Sequence, residues 1–352
     1  MTVVPINRIL HFHFGKDGGA ERFFVNLANA FAKHGLEQKF VIRPKRQWRC
    51  EIDALGQVFE NHYRRASLSS YFLEQRMSRL VRDWMPQIVM AWMPRAARLV
   101  KDWPGPCKLV RLGDFPRHLE HFTNCDLVVG NLPGIVDHCL NLGWKRKVEV
   151  ISNFAREVVP YPVSRSQYDT PNDAYLISGA GRFVNRKGLD VLVTCLQALP
   201  DAYLWLIGSG REEKSLRDLA ETLGVRERVR FIGWVDEPIH YIAATDVFGM
   251  PSRHEPLGNS VLDAWRAQVP VVSTRSEGPS WYMRDGVDGL LVDIDDADTF
   301  SRKLITIREN RLLANTLIRG GLERLSAWFS QEKVVSGYME TCRDILSKRA
   351  VL

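Results

Sequence analysis

No stretch of this sequence runs for roughly 18 apolar residues without a break, so no membrane-spanning helix is expected. Residues 1–10 lack the basic-then-apolar layout of a secretory leader, and none is expected. No two of the six cysteines (Cys50, Cys107, Cys125, Cys139, Cys195, Cys342) form a Cys-x-x-Cys pair. Several sit in apolar contexts, as in "CDLVVG" and "VTCLQAL", which indicates reduced core thiols of a cytoplasmic protein, not a disulfide frame or a zinc site. No glycine-rich turn closes with Gly-Lys-Ser or Gly-Lys-Thr, which excludes a Walker loop.

What is there is an ordinary globular composition, 45% apolar and 25% charged, over 352 residues, a length that suits two domains. The charge is uneven. Residues 1–160 hold 24 Lys and Arg against 15 Asp and Glu, whereas residues 161–352 hold 24 against 26. The excess gathers in "RPKRQWR" (43–49), Arg64-Arg65, Arg76, Arg79, Arg82, Arg95, Arg98 and Lys101. An anionic partner (membrane surface, phosphorylated substrate or nucleic acid) is one reading; solvated helix faces are the other.

Apolar runs alternate with helical stretches along the whole chain. "RILHFHF", "KFVIR", "QIVMAW", "KLVRL", "DLVVG" and "VEVIS" precede a Pro-punctuated stretch, "VVPYPVSRSQYDTPND", of linker character. The series restarts with "YLISGAG", "YLWLIGSG", "VRFIGW", "DVFGM", "VPVVST" and "GLLVDI". Strands alternating with helices predict parallel, doubly wound α/β sheets, and two series predict two Rossmann-like domains, 1–160 and 161–332, facing an inter-domain cleft. The stretch 333–352 predicts an amphipathic helix that docks elsewhere, with Val335, Tyr338, Met339, Cys342, Ile345 and Leu346 on one side.

Several strand-to-helix turns can meet an anion. "GKDGGAER" places Gly18 and Gly19 before a helix, where backbone N–H groups and the helix dipole favour negative charge; glycines there also serve a tight turn. "GAGRFVNRKGLDVLV" adds two cations, Arg182 and Lys187, that suit a diphosphate. "LIGSGREEKSL" places Gly208 and Gly210 at a third such turn. In "HEPLGNSVLDAW" (254–265), the amides around Gly258, Asn259 and Ser260 open a helix, with Glu255 outside it and Asp263 within. Two carboxylates beside an anion site suit the hydroxyls of a polyol; the competing reading is a capping acid and an exposed helical aspartate.

"GAGRFVNRKGLDVLV", "LWLIGSGREEKSL", "VRFIGWV", "ATDVFGMPSRHEPLGNSVLDAW" and "DGVDGLLVD", in this order and spacing over 179–293, resemble the donor-binding half of the retaining family 4 glycosyltransferases, which have the two-Rossmann GT-B fold. "GGAERFFVNLANAFAKHG" and "VEVISNF" are similar to the first-domain loop and its exit, so the resemblance covers nearly the whole chain. It implies that Arg182 and Lys187 hold the donor diphosphate and that Glu255 binds donor-sugar hydroxyls. It implies that Gly258, Asn259 and Ser260 contact sugar and phosphate. The family's second acid, a glutamate on the nucleotide ribose, is here Asp263, shorter by one methylene, about 1.5 Å of reach. Where many members carry a histidine after "KLVRL", this chain has Gly113-Asp114. Asp114 and His118 (with His121 beside it) are the acceptor-side candidates, and the 333–352 helix is expected to return to the first domain.

The resemblance further implies metal-independent hexosyl transfer, with retention, from a UDP- or GDP-sugar to a membrane glycolipid or oligosaccharide, lipopolysaccharide core being the expected acceptor. No cofactor is expected. The acidic run "DIDDAD" (293–298) is read as a helix cap rather than a metal site. The expected location is cytoplasmic, peripheral on the inner face of an anionic membrane, with no nucleic acid as partner. Competing readings are a sugar-nucleotide epimerase or hydrolase of the same fold, a nucleic-acid-binding protein, and a non-catalytic glycan-binding scaffold.

Overall fold

The computed structural model describes residues 5–16, 18–64 and 67–350; Asp17 of the first glycine turn and Arg65 of the basic series lie outside them. The chain divides into two compact units, Met1–Asn153 with Gln331–Leu352, and Phe154–Ser330.

In the first unit seven strands arise where the apolar runs were read, with one addition. They are β1 (Arg8–His13), β2 (Glu37–Ile42), β3 (Gly56–Glu60), β4 (Ile88–Trp92), β5 (Cys107–Leu112), β6 (Leu127–Gly130) and β7 (Lys147–Val150). All pair in parallel in the order β3-β2-β1-β4-β5-β6-β7. Every residue of β4, β5 and β6 is buried, as strands covered by helices on both faces must be. The addition, β3, is an edge strand that buries only Phe59, which leaves its sequence too polar to stand out.

The helix Gly19–Lys33 buries Phe23, Phe24, Leu27, Ala30 and Phe31, the stripe that its spacing indicated. The terminal helix Gln331–Ala350 belongs to this unit. Tyr338 meets Phe31 edge-on at 6.0 Å, and Arg349 donates to the Pro106 carbonyl at 2.8 Å.

The second unit repeats the design with β8 (Tyr175–Ala180), β9 (Ala202–Ile207), β10 (Val229–Gly233), β11 (Val247–Met250), β12 (Val271–Thr274) and β13 (Leu290–Val292). Their order is β10-β9-β8-β11-β12-β13, all neighbours parallel. The order reverses between β8 and β11, the place where such sheets open a crevice at their carboxyl ends. The Pro-punctuated stretch 158–173 lies in this unit, with Tyr161 stacked on His240 at 3.7 Å. Among the described residues no helix is long and apolar enough to cross a membrane.

Candidate active site

The candidate donor residues of the second unit converge on that switch point. After β8 the chain turns through Gly181 into a 3-10 turn, Asn185–Lys187. After β11 it runs through residues 251–257 into the helix Asn259–Arg266. The two segments are held together through the backbone. Arg253 N donates to the Arg186 carbonyl at 2.9 Å, and the Arg253 guanidinium spans the Asn185 carbonyl (2.7 Å) and the Asp190 carboxylate (2.6 and 3.0 Å). This brings the Lys187 ammonium onto Glu255 Oε2, in an ion pair between residues 68 apart in sequence.

Glu255 is fixed from several sides. Ser252 Oγ lies 3.3 Å from the same Oε2. Glu255 N donates to Glu277 Oε2 at 3.0 Å, and Gly278 N donates to the Glu255 carbonyl at 2.9 Å. Burial raises the Glu277 pKa, but hydrogen bonds from the Glu255 and Glu277 amides and from His254 outweigh it, leaving the carboxyl below its ordinary value. Glu255 therefore does not cap the helix; the N-cap is Gly258, which brings no capping side chain. Gly258 takes φ +89, and a Cβ there would stand 2.9 Å from Met250 Cε and 3.2 Å from the Tyr282 hydroxyl oxygen. Asn259 and Ser260 follow as the half-buried first turn.

Gly208 ends β9 with φ +132, and a Cβ there would lie 2.0 Å from the Gly181 carbonyl oxygen, so only glycine allows the two turns to touch. Gly208 N donates to the Gly233 carbonyl at 2.8 Å, which brings in the loop 233–237 and its Trp234, 58% exposed. Arg182 is exposed on the loop after β8.

Asp263 is neither exposed nor a cap. It is buried, and both its oxygens face the Arg156 guanidinium, at 3.4 and 3.1 Å. Arg156 also holds Glu237 at 2.7 Å. Burial lowers the Arg156 pKa, yet Asp263 and Glu237 outweigh it and raise the value above that of a free arginine. A hydroxyl reaching Asp263 would have to share an oxygen with this guanidinium.

In the first unit Gly18, with φ +154, is the N-cap of the Gly19–Lys33 helix, again without a capping side chain. Beneath this turn His13 is fully buried, stacked on Phe24 at 4.6 Å. Asp114 follows β5 and accepts from Phe115 N at 2.9 Å. His118 is exposed and meets Glu120 at 3.2 Å, with His121 3.4 Å from the same oxygen. Ligand atoms of these last three side chains lie within 4.8 Å of one another. The acidic run 293–298 does cap a helix: Asp296 accepts from Thr299 N at 2.8 Å at the start of Ala297–Glu309.

The sequence reading did not single out Arg156, Glu277, Trp234 or Tyr282. The Tyr282 hydroxyl is buried without a hydrogen-bond partner beside Gly258. Burial first, then the Glu255 and Asp288 carboxylates, raise its pKa.

The family described as glycosyl transferases group 1 matches residues 162–324. Among curated proteins, the lipopolysaccharide core biosynthesis glycosyltransferase LpsE of Rhizobium meliloti (strain 1021) is 47% identical, over 95% of this chain and 98% of its own. LpsD of the same organism, with the same description, is 40% identical over 97% of this chain and 100% of its own. Among solved structures, Anabaena Alr3699/HepE in complex with UDP superposes with a TM-score of 0.82 at 20% identity, covering 95% of this chain and 99% of that one.

Proposed function

The chain belongs to the glycosyl transferases group 1 family, and from that premise we propose that it moves a hexose from a UDP- or GDP-sugar onto a glycolipid of the lipopolysaccharide core, with retention at the anomeric carbon. The observation that carries this reading is the Lys187–Glu255 pair beside a helix start with no capping side chain, at the switch point of a doubly wound sheet.

The chemistry follows from these groups. A donor diphosphate meets Lys187, Arg182 and the first-turn amides at Gly258, Asn259 and Ser260, while Glu255 accepts hydroxyls of the sugar. As the bond from sugar to phosphate breaks, negative charge grows on the departing oxygen. Fixed cations and amides aimed there stabilise the transition state more than the ground state. In this reading no carboxylate attacks the sugar, and the leaving phosphate can take the acceptor proton. It requires no metal or organic cofactor. Asp114 and His118 are the acceptor-side candidates, and the reaction is placed on the cytoplasmic side, at the inner face of the membrane.

The test is a thermal-shift series with UDP, GDP and ADP, then their sugars, followed by turnover with and without a core acceptor. A raised melting temperature with one nucleotide and acceptor-dependent release of it support the reading. Release at the same rate without acceptor would instead identify a hydrolase, and no shift with any nucleotide would refute the donor site.

A further inference from the structure

The connection between β5 and β6 (residues 113–126) carries the stretch His118-Leu119-Glu120-His121. Both ends of it are pinned. On one side the Pro116 carbonyl lies 2.8 Å from His138 Nε2, and the Phe115 ring meets His138 edge-on at 5.5 Å. On the other, Phe122 is fully buried against Trp144, with ring centroids 6.4 Å apart. Phe122 N donates to the Leu119 carbonyl at 2.8 Å, and Cys125 N to the Phe122 carbonyl at 2.7 Å, so the backbone folds through successive tight turns. The chain thereby brings His121 back beside His118, and the two rings stand 5.5 Å apart at 81°.

One carboxylate oxygen serves both rings. Glu120 Oε1 is 3.2 Å from His118 Nε2 and 3.4 Å from His121 Nε2. All three ligand atoms fall within 4.8 Å of one another, and among the described residues no other three His, Cys, Asp or Glu side chains do so. Charge-assisted N–H···O contacts are shorter, about 2.7–2.9 Å. Donors held at about 2.0–2.2 Å by one tetrahedral zinc ion stand about 3.4 Å from each other. The two observed separations fit the second spacing. Two imidazoles and a carboxylate are also the donor set that suits ions of the zinc class, whereas Mg²⁺ and Ca²⁺ favour oxygen alone. His118 and Glu120 are exposed and His121 is half-buried, so an ion can enter from solvent and keep a fourth position open.

We propose that His118, Glu120 and His121 bind a divalent ion of the zinc class, with the fourth position left to water or to an oxygen of an anionic ligand. The three residues occupy four positions of one pinned turn, so little order is lost when they close on an ion. The competing arrangement is a simple cluster in which both Nε2 protons share one carboxylate oxygen; it would bind no metal. The transfer chemistry proposed above needs no ion, and Lys187 and Glu255 belong to the other unit. The metal site therefore stands or falls separately from that reading.

The experiment is calorimetric titration of the full chain, stripped with a chelator, with Zn²⁺ and, for comparison, with Mg²⁺. A Cys50→Ser background removes an exposed thiol that would compete for zinc. One equivalent of Zn²⁺ is expected to bind, without comparable uptake of Mg²⁺. His118→Ala with His121→Ala is expected to weaken this site by more than about a hundredfold, beyond the cost of losing a partner outside the metal's own ligands. Glu120→Gln should also weaken it, and because this side chain is exposed, the variant should melt like wild type without metal, which separates lost binding from lost fold. Bound Co²⁺ should show the intense visible absorption of a tetrahedral centre in the Cys50→Ser protein and lose it in both variants. Equal zinc affinity with and without the two histidines overturns the proposal, as does Mg²⁺ binding as tight as that of Zn²⁺, or the lack of a one-to-one site. A nucleotide-induced thermal shift without zinc binding would refute the metal site alone; zinc binding without that shift would refute the transferase reading alone.

Discussion

Arg156 lies against Asp263 through two contacts, Nε to Oδ1 at 3.4 Å and Nη2 to Oδ2 at 3.1 Å, between residues 107 apart in sequence. The two side chains are 12% and 9% exposed, so the pair stands largely out of water. Each charge is tolerated there because the other is present. A shorter acid at 263 leaves room for the guanidinium, which in turn ties the Asn259–Arg266 helix to the loop carrying Glu237.

Arg156→Met should therefore strand a buried carboxylate and cost about 3–5 kcal/mol, the usual range for removing one partner of a buried pair. Urea denaturation reads this directly. Adding Asp263→Asn to Arg156→Met should recover a large part of the loss, because the uncompensated charge disappears. If Arg156→Met melts like wild type, the pair is not a structural tie.

Gly258→Ala tests the helix start without touching a charge. The new methyl would meet Met250 Cε at 2.9 Å, and that flexible end can move away. The backbone cannot adapt so easily, since φ is +89 and a residue with a Cβ is strained there by about 1–2 kcal/mol. Expected are a modest fall in melting temperature and a larger loss of the nucleotide-induced shift, as the first-turn amides at Asn259 and Ser260 turn away. An unchanged nucleotide response would remove this turn from the site.

Much of this was legible in the order of residue types, for physical reasons. Parallel strands covered on both faces are continuous apolar runs, so the inner strands could be read from the sequence; of the edge strands, β7 and β10 were read from "VEVIS" and "VRFIGW", whereas "GQVFE" of β3 has no such apolar run and was not. Lys187 and Glu255 stood out because each sits at a glycine-broken turn after a strand. Arg156 carried no such signal, since nothing local in "SNFAREV" indicates a partner 107 residues away.

The buried histidines of the first unit make stability depend on pH. Trp92 Nε1 approaches His11 Nδ1 at 3.4 Å, and His11 Nε2 lies 3.0 Å from Gln38 Oε1, an arrangement that suits the neutral ring. Burial holds both His11 and His13 down to about 3, from the ordinary value of 6.5. Below pH 6.5 the unfolded chain takes up protons that the native state refuses, so stability is lost progressively as pH falls toward 3. The slope approaches ~1.4 kcal/mol per pH unit for each histidine. Urea titrations across this window should show it, and His11→Gln should flatten the profile by one histidine's share. An equally steep profile in that variant would refute the assignment.

The last prediction separates the two members of the central pair. Lys187→Ala should lower kcat by about a hundredfold to a thousandfold, the range seen when one group opposing developing oxyanion charge is removed. It should also weaken nucleoside diphosphate binding for a second reason. Without the ammonium, Glu255 faces the incoming phosphate as a like charge in a half-buried site, and that repulsion is an added cost. Lys187→Ala with Glu255→Gln should therefore bind the diphosphate more tightly than Lys187→Ala alone, while kcat stays low because neither the cation nor the carboxylate proposed to bind the sugar is restored. Calorimetry on the single and double variants, with kcat and KM measured alongside, distinguishes this from simple loss of structure. Equal affinities in the two variants would mean that Glu255 lies away from the phosphate, and full turnover by Lys187→Ala would remove Lys187 from the chemistry.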